Sequence, residues 1–435
     1  MSSKNKNIAV TLVVLGDIGR SPRMQYHALS FAEHNYNVNI IGYGGSKPMQ
    51  KLLDHPNTQI ITMRDVPNIS QLPKLCSYIF KTFWQTMTLL MALIFKNRSH
   101  IVMVQNPPAI PTLFATWFYC LVFRAKFIID WHNYAHTIMA LSLGRDHRLV
   151  RLATWIESYF GRKAIANFCV TRAMQRDLLE RWKIKAYVLY DRPPEEFKPI
   201  SLNVKHDLFM RLSKIYPEFS SDDGGTAFTK VLSEKDVVER VNRPGILVSS
   251  TSWTEDEDFG VLLSALCVYE ENVENHNLPY LICVITGKGP MKEYYMERIK
   301  KLNLKNVQII TPWLESEDYP LMLASADLGV SLHLSSSDLD LPMKVVDMFG
   351  CHLPVCAYDF KCLHELVKNG ENSFTFSSSN ELAGQIINWF SHFPTNETQK
   401  RQNEKFKQQL TIFTSFRWQE NWDLNVLPVV LQLTK

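Results

Sequence analysis

One lysine and two carboxylates at helical spacing form the group of side chains in this sequence best suited to bind a phosphorylated sugar. Asp340, Lys344 and Asp347 follow one another at intervals of four and three residues, so on a helix they would share one face. Pro342 suits a first helical turn and Gly350 suits a helix end. The pattern therefore predicts a helix that carries all three charged groups in its first turns.

This predicted helix has the chemistry of a phosphate site. The apolar run 328–332 before it is typical of a strand, and a strand that leads into a helix N-terminus is a place to hold phosphates. The positive helix end and Lys344 would meet a diphosphate, while carboxylates, which phosphates repel, suit sugar hydroxyls. The alternative is an ion-pair stripe on the surface of an ordinary helix.

A second polar loop follows the apolar run 246–249. It contains Thr251 and Ser252, whose hydroxyls could bind the same ligand. The acidic run 255–258 comes next and suits a helix N-terminus, where carboxylates match the helix dipole. A divalent ion at these carboxylates is an alternative, but we predict no dedicated metal site.

A third loop follows the apolar run 281–285 and contains Gly287 and Lys288. Glycine lets backbone amides approach a phosphate closely, and a lysine neutralises it. Because the carboxyl ends of parallel strands meet at one edge of a sheet, the three loops are predicted to converge on one crevice.

His132 is the best-placed acid or base in the first half of the chain. It follows the strand-like run 127–129 and stands in a cluster with Asp130 and Asn133. Imidazole titrates near neutrality, and ligands of open α/β sheets bind outside the strand ends. The alternative is a structural histidine.

The loop after the first apolar run, 8–15, is a candidate anion cradle. Gly16, Gly19 and Arg20 lie in it, just ahead of a predicted helix. The glycine spacing is not GxGxxG, which argues against a dinucleotide site. The alternative is a tight turn with surface arginines.

Apolar runs and helical patterns alternate along the whole chain, which predicts an α/β fold with parallel sheets. Consecutive prolines at 193 and 194 favour a linker, and a second α/β series begins near residue 244. We predict four regions: a first domain 1–197, a connecting segment with a mobile loop 198–243, a second domain 244–409, and a closing helix 410–435.

Composition is that of a soluble enzyme rather than a nucleic-acid-binding protein. The 435 residues suffice for two or three domains, and the net charge of +4 is too small to recruit nucleic acid. The eight cysteines lack metal spacing and are predicted to be reduced, buried thiols of a cytosol-facing protein. The first apolar run is too short for a signal peptide or a membrane span, so the chain is expected to start in its first strand.

The segment 75–95 is unusually apolar for a soluble protein. Lys81 interrupts it, which leaves too short an apolar run to span a bilayer comfortably. One interpretation is a helix lying in the membrane interface, and the other is a helix packed on the sheet. Both hold if one face is buried and the other meets lipid.

Large aromatic side chains suggest two further packing roles. Trp313 could stack on a base or fill the core, and the core is the favoured interpretation. Trp418 and Trp422 near the C-terminus are explained by a closing helix that packs back on another domain.

Five motifs in order resemble the chitobiosyldiphosphodolichol β-mannosyltransferases, over nearly the whole chain from residue 8 to residue 428. They are Gly-Asp-Ile-Gly-Arg-Ser-Pro-Arg-Met-Gln-Tyr-His (16–27), Ile-Asp-Trp-His-Asn-Tyr (129–134), Ser-Ser-Thr-Ser-Trp-Thr-Glu-Asp-Glu-Asp-Phe (249–259), Val-Ile-Thr-Gly-Lys-Gly-Pro (284–290) and Leu-Asp-Leu-Pro-Met-Lys-Val-Val-Asp-Met-Phe-Gly-Cys (339–351).

The resemblance implies a GT-B fold of two Rossmann-like domains facing across a cleft. It implies transfer of mannose from GDP-mannose to dolichol-diphosphate-linked chitobiose, with inversion to a β-1,4 bond, for protein N-glycosylation. The reaction would occur on the cytosolic face of the endoplasmic reticulum membrane, with other mannosyltransferases of the pathway as candidate partners, and would need no cofactor beyond the donor.

The resemblance also implies roles for the candidate residues. Seven would bind the donor: Thr251, Ser252, Gly287, Lys288, Asp340, Lys344 and Asp347. Five would face the acceptor: Gly16, Gly19, Arg20, Asp130 and Asn133. His132 would be the base that accepts the proton of the attacking hydroxyl, with Asp17 as second choice, while Lys288 and Lys344 would hold the diphosphate.

Two departures from the family pattern keep alternatives open. Members usually have an N-terminal membrane anchor, which this chain is expected to lack, so attachment would depend on the surfaces of 75–95 and 111–123. The run 372–376 reads Asn-Ser-Phe-Thr-Phe where the family tends to have Asn-Gly-Leu-Val-Phe. The alternatives are a non-catalytic relative that acts as a scaffold for other mannosyltransferases, and a retaining transferase that uses another sugar.

Overall fold

The apolar runs fold as strands of two parallel sheets, and the amphipathic stretches between them fold as helices that cover the sheets. The structure is a computed structural model and describes residues 8–68, 73–95, 98–233, 236–254 and 257–434. The chain divides into two compact units. One is Met1–Asp191 with Trp418–Lys435, and the other is Arg192–Arg417.

The first unit contains seven parallel strands in its described residues. Its elements up to residue 191 are β1 (Ala9–Asp17), α1 (Pro22–Glu33), β2 (Asn37–Tyr43), α2 (Gln50–Asp54), β3 (Thr58–Thr62), α3 (Lys74–Ile94), β4 (Ile101–Asn106), α4 (Thr112–Phe123), β5 (Lys126–Trp131), α5 (Ala135–Leu143), α6 (Arg148–Gly161), β6 (Ala166–Cys169), α7 (Arg172–Trp182) and β7 (Tyr187–Val188). The strand order is β3-β2-β1-β4-β5-β6-β7. The order reverses between β1 and β4, so their carboxyl ends border the crevice where such sheets bind ligands.

The second unit repeats this plan. Its elements are α8 (Leu202–Leu212), β8 (Thr229–Ser233), β9 (Asp236–Glu239), β10 (Gly245–Ser250), α9 (Phe259–Glu271), β11 (Leu281–Thr286), α10 (Lys292–Lys301), β12 (Val307–Ile310), α11 (Asp318–Ser325), β13 (Leu328–Ser331), α12 (Met343–Gly350), β14 (Val355–Tyr358), β15 (Phe374–Phe376), α13 (Ser379–Phe390) and α14 (Glu397–Thr414). The parallel sheet has the order β12-β11-β10-β13-β14-β15, and β8 pairs with β9 as a separate antiparallel ribbon. Here the order reverses between β10 and β13.

The central strands of both sheets are buried on both faces, as continuous apolar runs require when helices cover each side. All six residues of β10 and all six of β11 are buried. The predicted α/β class with parallel sheets is confirmed.

Two short helices at the C-terminus belong to the first unit. They are α15 (Trp418–Asn425) and α16 (Leu427–Leu433). Trp422 is fully buried and packs edge-on against Phe31 of α1, with ring centroids 5.0 Å apart. The chain therefore leaves the first unit after Asp191 and returns to it at Trp418.

The segment predicted to be a connector, 198–243, contains ordered elements of the second unit. Helix α8 and the ribbon of β8 and β9 form it, and Phe209 and Phe228 are both fully buried with ring centroids 4.3 Å apart. The ribbon was not predicted, because its strands are short and weakly patterned.

The eight cysteines, all within the described part of the chain, form no disulfide. Six are buried, as predicted, but Cys76 is exposed and Cys267 is only half-buried. Burial raises the pKa of the Cys120 thiol to about 12, which keeps it protonated and unreactive.

Candidate active site

Buried charged groups of the first unit meet where β5 ends and α1 begins. Asp130 is the second-last residue of β5, and Arg23 lies in the first turn of α1. The guanidinium of Arg23 donates two hydrogen bonds to the carboxylate of Asp130, from Nε to Oδ2 at 2.8 Å and from Nη2 to Oδ1 at 2.9 Å. Its Nη1 donates to Asp191 Oδ1 at 2.7 Å. Both Arg23 and Asp130 are buried, so the pair is shielded from water.

The two charges fix each other's ionisation. Burial alone would raise the pKa of Asp130, but the charges of Arg23 and His132 outweigh it and hold that pKa well below its usual range. Burial would likewise lower the pKa of Arg23, and its two carboxylate partners raise it instead. Asp130 is therefore an anion at any working pH.

His132 is held by this anion. Its Nε2 lies 2.7 Å from Asp130 Oδ2, and its side chain remains 21% exposed. An ionised carboxylate only accepts hydrogen bonds, so Nε2 carries the proton and Nδ1 carries the lone pair in the neutral ring. Among the residues that the structure describes, Nδ1 has no hydrogen-bond partner. This is the arrangement of a general base oriented by a carboxylate.

A second histidine borders the same carboxylate. His27 Nδ1 accepts a hydrogen bond from the indole Nε1 of Trp422 at 3.0 Å, so the proton of the neutral ring is on Nε2, which lies 3.2 Å from Asp130 Oδ2. That Nε2 makes no well-directed hydrogen bond. Burial lowers the pKa of His27, so the ring stays neutral.

The loop after β1 does not offer the anion cradle that the sequence predicts. Asp17 fills it, since its Oδ1 accepts from the amide of Gly19 and its Oδ2 from the amide of Ser46, both at 2.9 Å. Both carboxylate oxygens of Asp17 are thus engaged by backbone, which disfavours it as a base. A Cβ at Gly19 would lie 2.4 Å from the carbonyl oxygen of Ser46, so this glycine serves close packing, whereas Gly16 has space around it.

The other residues predicted to face the acceptor, Arg20, Asp130 and Asn133, differ in exposure. Arg20 is exposed, while Arg23 is neither a surface arginine nor a phosphate ligand, because Asp130 and Asp191 use its donors. Asp130 is fully buried and cannot touch an acceptor directly, which corrects the sequence prediction. Asn133 accepts from the amide of Tyr134 with its Oδ1 at 2.7 Å.

A buried glutamate holds the segment around His132. Glu157 of α6 accepts hydrogen bonds from the amide of Ala135 at 2.7 Å, from Asn106 Nδ2 at 2.8 Å and from His136 Nδ1 at 2.6 Å. The carboxylate thereby meets the positive N-terminus of α5. Asn106 and Glu157 together hold the chain at His132 and just after it, and the amide of His132 itself donates to the carbonyl oxygen of Asn106 at 2.9 Å.

In the second unit, Glu257 joins two of the predicted loops. Its Oε1 accepts from Lys344 Nζ at 2.5 Å, and its Oε2 accepts from Thr251 Oγ1 at 2.5 Å and from the amide of Ser252 at 3.0 Å. Glu257 is 3% exposed and Lys344 is 28% exposed on its side chain. The lysine predicted to bind a diphosphate thus already stands next to the Thr251 turn.

The loop after β11 packs directly on this turn. A Cβ at Gly287 would lie 1.8 Å from the carbonyl oxygen of Thr251, and one at Gly289 would lie 1.7 Å from that of Ser252. Gly287 also has φ of +140°, which other residues rarely adopt. The predicted convergence of these two loops with α12 is confirmed.

Two lysines and a tryptophan extend this region. Lys288 is exposed, and its Nζ lies 3.6 Å from the ring centroid of Trp313, a cation–π contact. Burial and the neighbouring charge of Lys288 lower the pKa of Lys292. The prediction that Trp313 fills the core is wrong, because half of it is exposed, while Trp253 fills the core. The positive charges at Lys288 and Lys292 favour an anionic ligand.

The helix carries only two of the three predicted charged groups, because Lys344 and Asp347 lie three residues apart on α12 and Asp340 lies outside it. The helix begins at Met343, because Pro342 at its N-cap pushes the residue before it out of helical geometry. Asp340 therefore lies in the preceding loop, where it accepts from Ser335 Oγ and its Oδ2 lies 3.2 Å from His333 Nε2.

Asp347 of α12 also lies near Tyr319 of α11. Burial and the charge of Asp347 raise the pKa of Tyr319, whose hydroxyl donates to Ser250 Oγ at 3.1 Å.

The run 372–376, where the sequence departs from the family, is used inside the second unit. Ser373 is fully buried and its Oγ accepts from the amide of Val355 at 3.0 Å. Phe374 packs edge-on against Phe406 at 5.0 Å, and Phe376 is 1% exposed. These side chains stabilise the last strand of the sheet.

No group of three or more His, Cys, Asp or Glu side chains within the described residues is arranged to hold a metal ion. Of the predicted acidic run, residues 255 and 256 lie outside the described residues. Asp258 caps α9, accepting from the amide of Gly260 at 2.8 Å, as expected for a carboxylate at a helix N-terminus.

Sequence reasoning missed Arg23 and Glu257. Both belong to motifs that it singled out, but Arg23 was assigned to an anion cradle or a surface turn, and Glu257 to an acidic run at a helix N-terminus. The signal that could have marked Arg23 is a charged residue in the first turn of the helix that follows β1, the strand at which the sheet order reverses. Glu257 differs from its acidic neighbours only in its long-range contact with Lys344.

Comparison with known proteins agrees with this architecture. The family model of glycosyl transferases group 1 matches residues 228–409. A glycosyltransferase structure from Rickettsia africae ESF-5 superposes with a TM-score of 0.64 at 15% identity, over 98% of this chain and 99% of its own. At that identity the likeness concerns the fold alone. Two Rossmann-like units and this match define a glycosyltransferase of the GT-B fold.

Curated relatives narrow the class. The chitobiosyldiphosphodolichol beta-mannosyltransferases of Homo sapiens and Pongo abelii are each 48% identical over 97% of this chain and 92% of their own length. The chain belongs to the chitobiosyldiphosphodolichol beta-mannosyltransferase family.

Proposed function

We propose that this protein transfers mannose from GDP-mannose to chitobiosyldiphosphodolichol and forms a β-1,4 bond with inversion. The observation that carries the proposal is the 48% identity over 97% of the chain to relatives whose names state the sugar and the acceptor. The second unit would bind the donor and the first unit the acceptor.

The second unit supports donor binding through its cations and its close-packed turns. Lys288 and Lys344 would neutralise the diphosphate, and the positive end of α12 lies beside Lys344. Glu257 balances the charge of Lys344. Trp313 is sufficiently exposed to stack on a base. The hydroxyls of Thr251 and Ser252, with Asp340 and Asp347, remain proposed contacts for the sugar and its nucleotide.

The first unit supports base catalysis by His132. In the proposed reaction the acceptor hydroxyl oxygen forms a bond to the anomeric carbon, and the bond from that carbon to the diphosphate oxygen breaks. His132 Nδ1 takes the hydroxyl proton, and Asp130 stabilises the imidazolium that results. GDP leaves with the electron pair, and the two lysines stabilise its charge. Arg23 would keep Asp130 ionised and in place.

A lipid-linked acceptor would place the reaction at a membrane. We propose the cytosolic face of the endoplasmic reticulum membrane, because the acceptor carries a dolichol chain and the cysteines form no disulfide in the described part of the chain.

The test is transfer of radiolabelled mannose from GDP-mannose to a short-chain diphosphate-linked chitobiose by the purified full chain, with detergent or lipid supplied. We expect Lys344→Ala to raise the donor KM and His132→Ala to lower kcat by roughly 10²–10⁴-fold. The exposed His276→Ala serves as the matched control and should keep full activity.

The outcomes separate the alternatives. A β-linked product supports inversion, and an α-linked product identifies a retaining enzyme. No transfer by the wild-type chain would favour the non-catalytic scaffold. Near-normal turnover by His132→Ala would exclude it as the base.

A further inference from the structure

We propose that four neighbouring helices of the first unit form a docking surface for an anionic lipid membrane. More than half of the exposed large hydrophobic side chains among the described residues lie between residues 78 and 165. We call the exposed part of these helices the apolar face. It comprises Tyr78, Ile79, Phe83, Met87, Met91, Ile94, Phe95, Phe114, Phe118, Leu121, Val122, Ile138, Leu141, Leu143, Leu152 and Trp155.

Helix α3 contributes a continuous stripe. Ile79, Phe83, Met87 and Met91 recur every fourth residue and are 62%, 62%, 37% and 47% exposed. Side chains at this spacing lie above one another along one side of a helix. Leu89, by contrast, is fully buried. The helix therefore packs on the unit with one side, which confirms the packed-helix interpretation of 75–95, and presents an apolar stripe with the other, which this proposal assigns to the membrane interface.

Helices α4, α5 and α6 continue the apolar face beyond α3. Helix α4 contacts both α3 and α6, and α5 contacts α6. On α4, Phe114 and Phe118 stack with ring centroids 6.1 Å apart and are each nearly half exposed. On α6, Trp155 stacks on Tyr159 at 5.3 Å. A contiguous surface of this kind on a soluble unit marks an interaction site.

The segment that carries the apolar face is predominantly basic. Residues 73 to 165 contain eleven Lys and Arg but only three Asp and Glu. Two of the three acids, Asp130 and Glu157, are fully buried, which leaves Asp146 as the exposed acid. The exposed bases are Lys81, Arg98, Arg124, Lys126, Arg145, Arg148, Arg151, Arg162 and Lys163.

Helix α6 shows how the two features combine. Arg148, Arg151 and Trp155 recur at intervals of three and four residues, so two guanidinium groups and an indole share one side. Lys163 Nζ lies 5.4 Å from the ring of Tyr159. Aromatic rings beside basic side chains are typical of a surface that lies in the headgroup layer.

Charge decides between the possible occupants. A second copy of this chain would bring a basic face against a basic face, which like-charge repulsion opposes. An anionic leaflet attracts each base and accepts the apolar side chains into its outer layer. None of the helices in the described part of the chain is both long and apolar enough to cross a bilayer. The geometry points to a surface that lies on the membrane.

The inference deepens the proposed function, because a lipid-linked acceptor must be reached at a membrane. It does not depend on transfer for its test, since vesicle binding is measured without donor or acceptor. Loss of transfer with retained binding would count against the proposed function alone, and transfer in detergent without vesicle binding would count against this surface alone.

The experiment is vesicle co-sedimentation of the full chain with phosphatidylcholine alone and with phosphatidylcholine and phosphatidylserine in equal amounts. We expect preference for the anionic vesicles and a fall in binding as salt rises. Arg148→Glu with Arg151→Glu should weaken anionic binding by roughly 25-fold or more. The matched control, Lys300→Glu with Lys301→Glu on exposed α10, makes the same charge change elsewhere and should bind like the wild type.

A second pair of variants tests the apolar stripe. Phe83→Ser with Met91→Ser should weaken binding by about tenfold to both kinds of vesicle. Its control is Ile215→Ser with Val241→Ser, which are 70% and 73% exposed on the second unit. Sedimentation equilibrium without lipid reports self-association. The proposal is overturned if test and control variants lose binding equally, if no vesicle is bound, or if the chain dimerises through the stripe.

Discussion

Arg23 and Asp130 lie 107 residues apart in the sequence and meet in a fully buried, two-pronged ion pair. Because His132 hydrogen-bonds to the same carboxylate, the pair ties the first turn of α1 to the strand end that presents the proposed base. Trp418 of the returning C-terminal helix covers the guanidinium at 5.5 Å. The position of His132 thus depends on contacts from three separate parts of the chain.

Removing the guanidinium is predicted to be costly. Arg23→Met leaves Asp130 as a buried anion without its main partner, and we expect a loss of about 3–5 kcal/mol in the unfolding free energy. Urea unfolding of the full chain at neutral pH measures this loss, which is taken from the unfolding transition of the first unit. Arg240→Met is the control, because its partner Asp223 is exposed and the expected loss is below about 1 kcal/mol. Equal losses would contradict the assignment.

His27 is predicted to make stability depend on pH. Burial lowers its pKa in the folded chain below the ordinary value near 6.5. As pH falls below about 6.5, His27 binds a proton in the unfolded chain but stays neutral in the folded chain. The unfolding free energy therefore decreases by up to about 1.4 kcal/mol per pH unit. His352, whose pKa is also lowered by burial, acts in the same direction in the second unit.

The measurement is thermal unfolding between neutral pH and mild acid. His27→Gln keeps an acceptor for Trp422 and a donor toward Asp130 but does not titrate, so its melting temperature should fall less steeply than that of the wild type. His276→Gln, at an exposed position, should leave the slope unchanged. If the melting temperature of His27→Gln falls with pH as steeply as that of the wild type, burial of the His27 ring is not the cause of the pH dependence.

The fold was largely predictable because it is encoded in local patterns. Apolar runs such as 246–249 and 281–285 mark strands buried on both faces, and the loops that follow them carry Thr251 and Gly287. Sheet order then places those loops together without further information. Asp340 was misplaced for a local reason as well, since the effect of Pro342 on the preceding residue was not given its weight.

Long-range partners could not be predicted in the same way. Lys344 and Glu257 are 87 residues apart, and nothing in either motif shows that one neutralises the other. The wrong prediction for Trp313 has the same origin, because Trp253 and Trp313 both follow strands of one sheet and only packing decides which of them is buried.

Glu257 is predicted to act as a positioning residue for Lys344. Glu257→Gln keeps a hydrogen-bond acceptor for the Thr251 turn but removes the charge that holds the lysine. We expect kcat/KM for the donor to fall by roughly 10- to 100-fold, mainly through KM. Glu397→Gln, which loses an exposed pair with Lys400, should have no effect.

The double variant makes this prediction specific. If Glu257 works through Lys344, Glu257→Gln combined with Lys344→Ala should be no worse than Lys344→Ala alone. Additive losses would mean that the two residues serve the donor independently.

Two glycine substitutions with opposite expected effects on stability test the packing of the donor loops. Gly289→Ala would drive its Cβ to 1.7 Å from the carbonyl oxygen of Ser252, so the loop that carries Lys288 must move away from the turn. We expect a loss of about 1–3 kcal/mol in stability and a clear rise in donor KM. Gly384→Ala on α13 meets no atom within 4 Å and should instead stabilise the chain by about 0.5–1 kcal/mol with unchanged kinetics. Urea unfolding and donor titration distinguish them, and a Gly289→Ala variant with normal KM would show that the loops need not touch for the donor to bind.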